Sequence, residues 1–342
     1  MDAETLPLVW FGLLGVLLAG YAVLDGFDLG VGMMHLLVAR GDRERRITLN
    51  SIGPLWDGNE VWLVTFGGAM FAAFPAAYAT VFSGFYAAFM LLLFALIFRA
   101  VSIEFRSKRE SRFWRAAWDA GFSAGSLLAA LLFGVAVGNL MRGVPLTAAG
   151  EYHGDLFEQL DPYPLLVGAL AVALFAMHGT IYLYLKTEGE LQRRVHRWMW
   201  RNFGLFLVVF MLTTIYTLVA LPGATAQLER FPVLWIIPVL TVLAIANIPR
   251  AIFNEQPGRA FASSVCTVVG LVFLLGAALF PNLVPSSPHP ERSLSIWNAA
   301  SSPTTHRIML LIALLGMPAV LSYTALVYWT FRGKVRMDEH SY

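Results

Sequence analysis

The sequence predicts an all-α membrane protein with nine transmembrane helices, and three observations carry that reading. Hydrophobic residues fill 58% of the 342 positions and charged residues only 13%, with a mean hydropathy of +0.65. The charges are spaced so that uncharged windows run Thr5 to Leu24, Val61 to Phe98, Ala120 to Met141, Pro162 to Leu185, Asn202 to Leu228, Phe231 to Pro249, Ala260 to Pro290 and Ile308 to Phe331. Each window supplies the roughly 20 residues that one crossing of the hydrocarbon needs. The window from Val61 to Phe98 is long enough for two crossings, and Phe74-Pro75-Ala76-Ala77-Tyr78 divides it, because a proline cannot continue the helix before it.

Basic residues set the expected orientation, since Lys and Arg flanking a crossing stay on the cytoplasmic side. With the N-terminus outside, all but four of the 24 Lys and Arg fall inside; the exceptions are Arg142, Arg230, Arg292 and Arg307. Nine crossings then leave the C-terminus in the cytoplasm. The basic residues are membrane flanks, so the net charge of +2 implies no nucleic-acid partner. Asp2 and Glu4 precede the first helix, which lacks a basic leader and a cleavage site and is expected to be retained. Cys266 is the one cysteine, which excludes an internal disulfide or a cysteine metal site. Residues 1–161 carry helices 1 to 4 and residues 162–342 carry helices 5 to 9, in one membrane unit with no soluble domain. The polar excursions Arg142 to Asp161, Lys186 to Arg201 and Asn282 to Arg307 are too short to be domains. Trp10, Trp56, Trp62, Trp114, Trp118, Trp235 and Trp329 lie near helix ends, where indoles anchor at the headgroups.

The first helical pattern continues past Leu24 through Asp25-Gly26-Phe27-Asp28-Leu29-Gly30-Val31-Gly32 to about Val38. Asp25 and Asp28, three apart, share a face, and Gly32 extends it. Two readings stand: the acids are hydrated at the headgroups, or they line a polar path, as intramembrane carboxylates usually do. The second helix opens with Ile52-Gly53-Pro54-Leu55-Trp56-Asp57-Gly58-Asn59-Glu60-Val61-Trp62. Pro54 suits a first turn, and acids there suit the positive dipole end. Asp57 and Glu60 again share a face. Glu104 follows the third helix on the same side, with Arg99 and Arg106 as possible ion-pair partners. Asp25, Asp28, Asp57, Glu60 and Glu104 are thus the candidate proton path, because a carboxyl relays protons by alternately taking up and releasing one.

Histidines are the natural axial ligands of a b-type haem. His153, His196, His289, His306 and His340 fall in loops or ends, leaving His35 near the inner end of helix 1 and His178 within helix 5. His178 reads as a histidine hydrogen-bonded across helices. No second ligand accompanies it at its depth, so no metal and no haem are expected to be ligated by this chain alone.

The segments Asp25 to Gly32 and Gly53 to Trp62 resemble subunit II of the bacterial cytochrome bd quinol oxidases. The likeness continues through Thr80 to Tyr86, Phe98 to Val101 with Glu104-Phe105-Arg106, Gly134 to Asn139, Phe280 to Ser286 and Ser293 to Ser302. The resemblance implies two four-helix bundles plus one peripheral helix, in the bacterial inner membrane. It implies a partner, subunit I, that holds two haems b and one haem d and the quinol site, along with a small single-helix accessory subunit and membrane lipid. Quinol would be oxidised and oxygen reduced to water with cytoplasmic protons, generating a membrane potential. The family acids proposed for the proton route match Asp28, Asp57 and, with Glu replacing Asp, Glu104; Asp25 belongs to the same motif. Small residues at Gly12, Gly15, Gly20, Gly125, Gly134 and Gly138 are expected to admit close contact with subunit I. Two alternatives remain: a secondary transporter, whose sites form at broken helices near the midplane, and a scaffold subunit with no proton role.

Overall fold

The structure, a computed structural model, describes residues 2, 4–155 and 157–336; His340 lies outside the described residues. The chain runs α1 (Thr5–Val38), α2 (Asp42–Ile52), α3 (Trp56–Ala73), α4 (Pro75–Gly84), α5 (Tyr86–Phe105), α6 (Arg112–Arg142), α7 (Pro162–Lys186), α8 (Gly189–Ala220), α9 (Ala226–Arg230), α10 (Ile236–Phe253), α11 (Pro257–Leu279) and α12 (Pro303–Thr330). A two-stranded antiparallel ribbon, β1 (Asn282–Val284) and β2 (Leu294–Ser295), lies between α11 and α12.

Eight helices among the described residues are long and apolar enough to cross a membrane: α1, α5, α6, α7, α8, α10, α11 and α12. The sequence reading expects nine, and α3 is the difference. Its first turn is spent on Asp57, Asn59 and Glu60, and it stops after 18 residues, where Phe74 leaves the helical conformation ahead of Pro75. The break expected at Phe74-Pro75 is present. Pro54, expected in a first helical turn, instead sits in the turn between α2 and α3.

Two further differences follow from amphipathic sequence being scored as loop. Arg43, Arg45 and Arg46 belong to α2, a short helix that buries Thr48, Leu49, Ser51 and Ile52 on one face. The excursion from Lys186 to Arg201 is mostly the first three turns of α8, which buries Leu191, Arg194, Val195 and Met199. His196 is therefore helical, and so is His306, which lies in the first turn of α12.

The long first helix passes through the centre of the molecule and contacts α3, α6, α7 and α11. Its crossing with α7 is backbone on backbone: a Cβ added at Gly30 would lie 2.0 Å from the Phe175 carbonyl oxygen and 2.7 Å from the Gly179 Cα. Only glycine pairs allow helices this close. Around this crossing Phe27 stacks on Tyr182 with centroids 4.1 Å apart. The packing of α6 on α7 joins the two halves of the chain.

Several expectations about small residues and tryptophans change here. Gly125 packs against the Ala95 carbonyl, Gly134 against Gly168 and Gly138 against Pro164, while Gly20 lies under Trp62. These four serve contacts inside this chain, whereas a Cβ at Gly12 would meet no other group within 4 Å among the described residues. Trp10 and Trp62 are buried, and Trp10 donates Nε1–H to the His306 carbonyl at 3.1 Å, so neither is a headgroup anchor. By contrast α12 buries only His306 among its residues and is peripheral.

The helix ends alternate between two sides of the bundle. One side gathers α2, the C-terminal ends of α1, α5, α7 and α12 and the N-terminal ends of α6 and α8. There Arg194 Nε donates to the Val38 carbonyl at 2.9 Å and pairs with Glu44. Lys334 donates to the carbonyls of Thr187 and Tyr184 at 2.6 and 3.2 Å, and burial pushes its ammonium below the usual lysine range. At the other side His306 Nε2–H donates to the Ala73 carbonyl at 2.9 Å.

Candidate functional site

The most unusual feature of the interior is a cluster of ionisable groups around Arg99. Asp25 and Asp28 occupy one face of α1, some 10 to 13 residues before its end at Val38, which at 1.5 Å per residue is roughly 15 to 20 Å into the bundle. Arg99 reaches them from α5. Its Nη2 donates to Asp25 Oδ1 at 2.5 Å and lies 3.9 Å from Asp28 Oδ2, while Nη1 is 4.0 Å from Glu60 Oε2 on α3. The side chains of Asp25, Asp28 and Arg99 have no exposed surface, and that of Glu60 is 23% exposed. Complete burial replaces the reading of Asp25 and Asp28 as headgroup acids.

Neutral polar groups complete the cluster. Asn59 donates to Asp28 Oδ2 at 2.8 Å, and the Tyr328 hydroxyl of α12 donates to Asn59 Oδ1 at 2.9 Å. Tyr21 stands one turn before Asp25 with a buried hydroxyl. Asp25 Oδ2 and Asp28 Oδ1 are buried and accept no hydrogen bond among the described residues. Three carboxyl groups thus share one guanidinium. An ion left unbalanced in such surroundings is costly, and an arrangement with more carboxyls than cations can hold an exchangeable proton.

The five sequence candidates do not all meet. Asp25, Asp28 and Glu60 converge on Arg99, but Asp57 and Glu104 are exposed on the surface of the chain. Helical rotation separates them: Asn59, two residues after Asp57, is the α3 side chain that turns toward α1, and a step of two residues points nearly opposite ways. The sequence reading missed the roles of Arg99, Asn59 and Tyr328. Arg99 carried a signal, for it closes a long uncharged window five residues before the next charge at Glu104, and an arginine inside a crossing calls for an acidic partner.

A second polar cluster was also missed. Asp119, in α6, is buried and accepts from Arg106 Nε at 2.5 Å, Arg45 Nη1 at 2.8 Å and His35 Nε2 at 2.8 Å. The other His35 nitrogen lies 2.6 Å from Thr48 Oγ1. Arg106 also pairs with Asp42 at 2.9 Å. This network pins α2, the ends of α1 and α5 and the start of α6 together; Asp119 and Asp42 are each bridged by two arginines, which makes it a fastening.

The buried histidines do not fit haem ligation. Both ring nitrogens of His35 are engaged as described. His178 Nε2–H donates to the Val23 carbonyl at 3.1 Å and Nδ1 meets Ser264 Oγ at 2.8 Å, so His178 is hydrogen-bonded across α1, α7 and α11 as expected. No group of three potential metal ligands exists among the described residues.

Comparison with known proteins agrees with the resemblance read from the motifs. Residues 6–331 match the family profile described as cytochrome bd terminal oxidase subunit II. The chain is 39% identical over 370 aligned positions to cytochrome bd-I ubiquinol oxidase subunit 2 of Escherichia coli (strain K12), covering 99% of this chain and 97% of that one. It is 34% identical over 336 positions to cytochrome bd ubiquinol oxidase subunit 2 of Bacillus subtilis (strain 168), covering 97% of each. In fold it is similar to a chain of the bd oxidase from Geobacillus thermodenitrificans, with a TM-score of 0.77 at 17% identity over 96% of this chain and 99% of that chain.

Proposed function

The chain belongs to the family of subunit II of cytochrome bd terminal oxidases, and we propose that it is the companion of a haem-bearing subunit I and helps deliver protons from the cytoplasm to the site of oxygen reduction. It is a subunit of an oxidoreductase complex, and the relatives' names point to ubiquinol as the electron donor. On this reading two haems b and one haem d sit in subunit I, which also oxidises the quinol, and a small single-helix subunit completes the assembly. The complex lies in the bacterial inner membrane, with α3 as a ninth crossing, the N-terminus outside and the basic end of the bundle in the cytoplasm. Helices α1, α3, α5 and α6 form one four-helix bundle and α7, α8, α10 and α11 the other, with α12 at the periphery.

The observation that carries the proton role is the excess of carboxyl groups over guanidinium at Asp25, Asp28, Glu60 and Arg99. Glu60, the partly exposed member, takes a proton from the exposed side near Asp57. Asp28, held by Asn59, and Asp25, held by Arg99, keep acceptor oxygens ready within the bundle. Arg99 is the fixed positive charge that lets a carboxylate persist there between proton transfers. Glu104 and Asp57 serve as surface collectors. Haem in the partner supplies the electron chemistry; this chain orients and hands on protons.

The test is purification of the intact complex with Asp25, Asp28 or Glu60 neutralised singly. Full haem content with reduced proton uptake supports the reading. Unchanged turnover in all three would leave this chain a scaffold, and a colourless, self-sufficient protein would point to a transporter instead.

A further inference from the structure

A polar cavity of about 360 Å³ opens at the turn from α10 to α11, lined by Asn247, Arg250, Ala251, Asn254, Gln256 and Arg259. It lies at the basic end of the bundle, because α11 begins there and packs antiparallel to α7, bringing Ser264 beside His178. The surroundings explain the chemistry it can host. Arg250 closes α10 and Arg259 opens α11, and neither guanidinium is paired with a carboxylate among the described residues. Glu255, in the same turn, is exposed and makes no ion pair with either.

The remaining polar groups are arranged to favour an anion. Gln256 accepts from Arg259 Nη1 at 2.8 Å and so holds that guanidinium at the rim. Asn247 is fixed by its bond to Ser263 Oγ at 2.8 Å. The first backbone N–H groups of the 23-residue helix α11 lie at the same place, adding the positive end of a helix dipole to two arginines that no carboxylate neutralises. Next to the cavity the surface turns apolar: Phe253 is 80% exposed, and Val239, Leu240, Val242 and Leu243 of α10 are all more than half exposed.

We infer that this cavity binds the phosphate headgroup of an anionic phospholipid whose acyl chains lie along the exposed face of α10. A free phosphate would use the same arginines, but the adjoining apolar face matches a ligand with hydrocarbon attached. Basic pockets at the cytoplasmic ends of membrane helices recognise such headgroups, and each basic residue adds measurably to the attraction.

The experiment uses the whole oxidase complex, delipidated in detergent and titrated with phosphatidylglycerol, with phosphatidylcholine or with inorganic phosphate, with bound species counted by native mass spectrometry. The wild type should retain phosphatidylglycerol in preference to phosphatidylcholine. The double variant R250Q/R259Q should bind one such lipid about thirtyfold more weakly with haem content unchanged. Should that variant fail to assemble, R259Q alone is read in the same way, with R259K expected to recover most of the binding. An identical lipid complement in wild type and variants overturns the inference. Displacement of the lipid by inorganic phosphate at low millimolar concentration overturns it too, since the site would then be one for a soluble anion.

Discussion

Arg99 Nη2 and Asp25 Oδ1 stand 2.5 Å apart with neither side chain exposed to solvent. The contact is charge-assisted and shorter than a neutral hydrogen bond, and it joins α5 to α1 at the level where Asp28 and Asn59 also meet. Burial of such a pair contributes little net stability, but removing one partner strands the other.

Arg99→Gln should therefore destabilise the assembled chain by about 3 to 5 kcal/mol, because two fully buried carboxyls lose their cation. The expected outcome is a lowered thermal midpoint and poor recovery of the complex, measured by haem absorbance during heating. A variant as stable as the wild type would mean that the acids need no counter-charge.

Asp57→Asn should behave in the opposite way. The side chain is exposed, so the complex should assemble with its haems. Oxygen consumption and proton uptake should nevertheless fall, by roughly tenfold or more if Asp57 is an obligatory carrier. Full turnover with full proton uptake would remove it from the route, while loss of haem would make it an assembly residue.

Gly30→Ala should prevent α1 and α7 from closing. The added methyl would lie 2.0 Å from the Phe175 carbonyl and 2.7 Å from the Gly179 Cα, and backbone atoms cannot rotate away. Gly12→Ala, where the added methyl meets nothing within 4 Å among the described residues, is the matched control. Membrane-inserted yield should collapse for the first and stay unchanged for the second.

His306→Ala should loosen α12. It removes the 2.9 Å bond to the Ala73 carbonyl, which keeps the Ser301 N–H at 2.9 Å, so the cost is that of one hydrogen bond, about 0.5 to 1.5 kcal/mol. Limited proteolysis in the segment between β2 and α12 should speed up; an unchanged cleavage rate would show that this bond does not hold α12.

By itself the sequence determined that the solvent is lipid, where the long apolar helices run and that a proline divides Val61 to Phe98. It also determined the family, through motifs spread from Asp25 to Ser302. These properties are local: length, hydropathy and motif order need no knowledge of neighbours. Its nine-helix reading differed at α3 because the polar residues that make Asn59 and Glu60 useful also dilute that helix's apolar length.

Only the tertiary structure decided which of the five acids come together. Periodicity placed Asp25 with Asp28 on one face and Asp57 with Glu60 on another, but it could not say which face of α3 turns toward α1. That rotation put Asn59 on Asp28 and left Asp57 outside. It also brought Arg99, distant in sequence, onto Asp25, and gathered Asp119, His35 and Arg106 at the end of the bundle. Helix–helix registry depends on close backbone crossings such as Gly30 on Gly179. Those are properties of pairs of elements, and a single strip of sequence does not contain them.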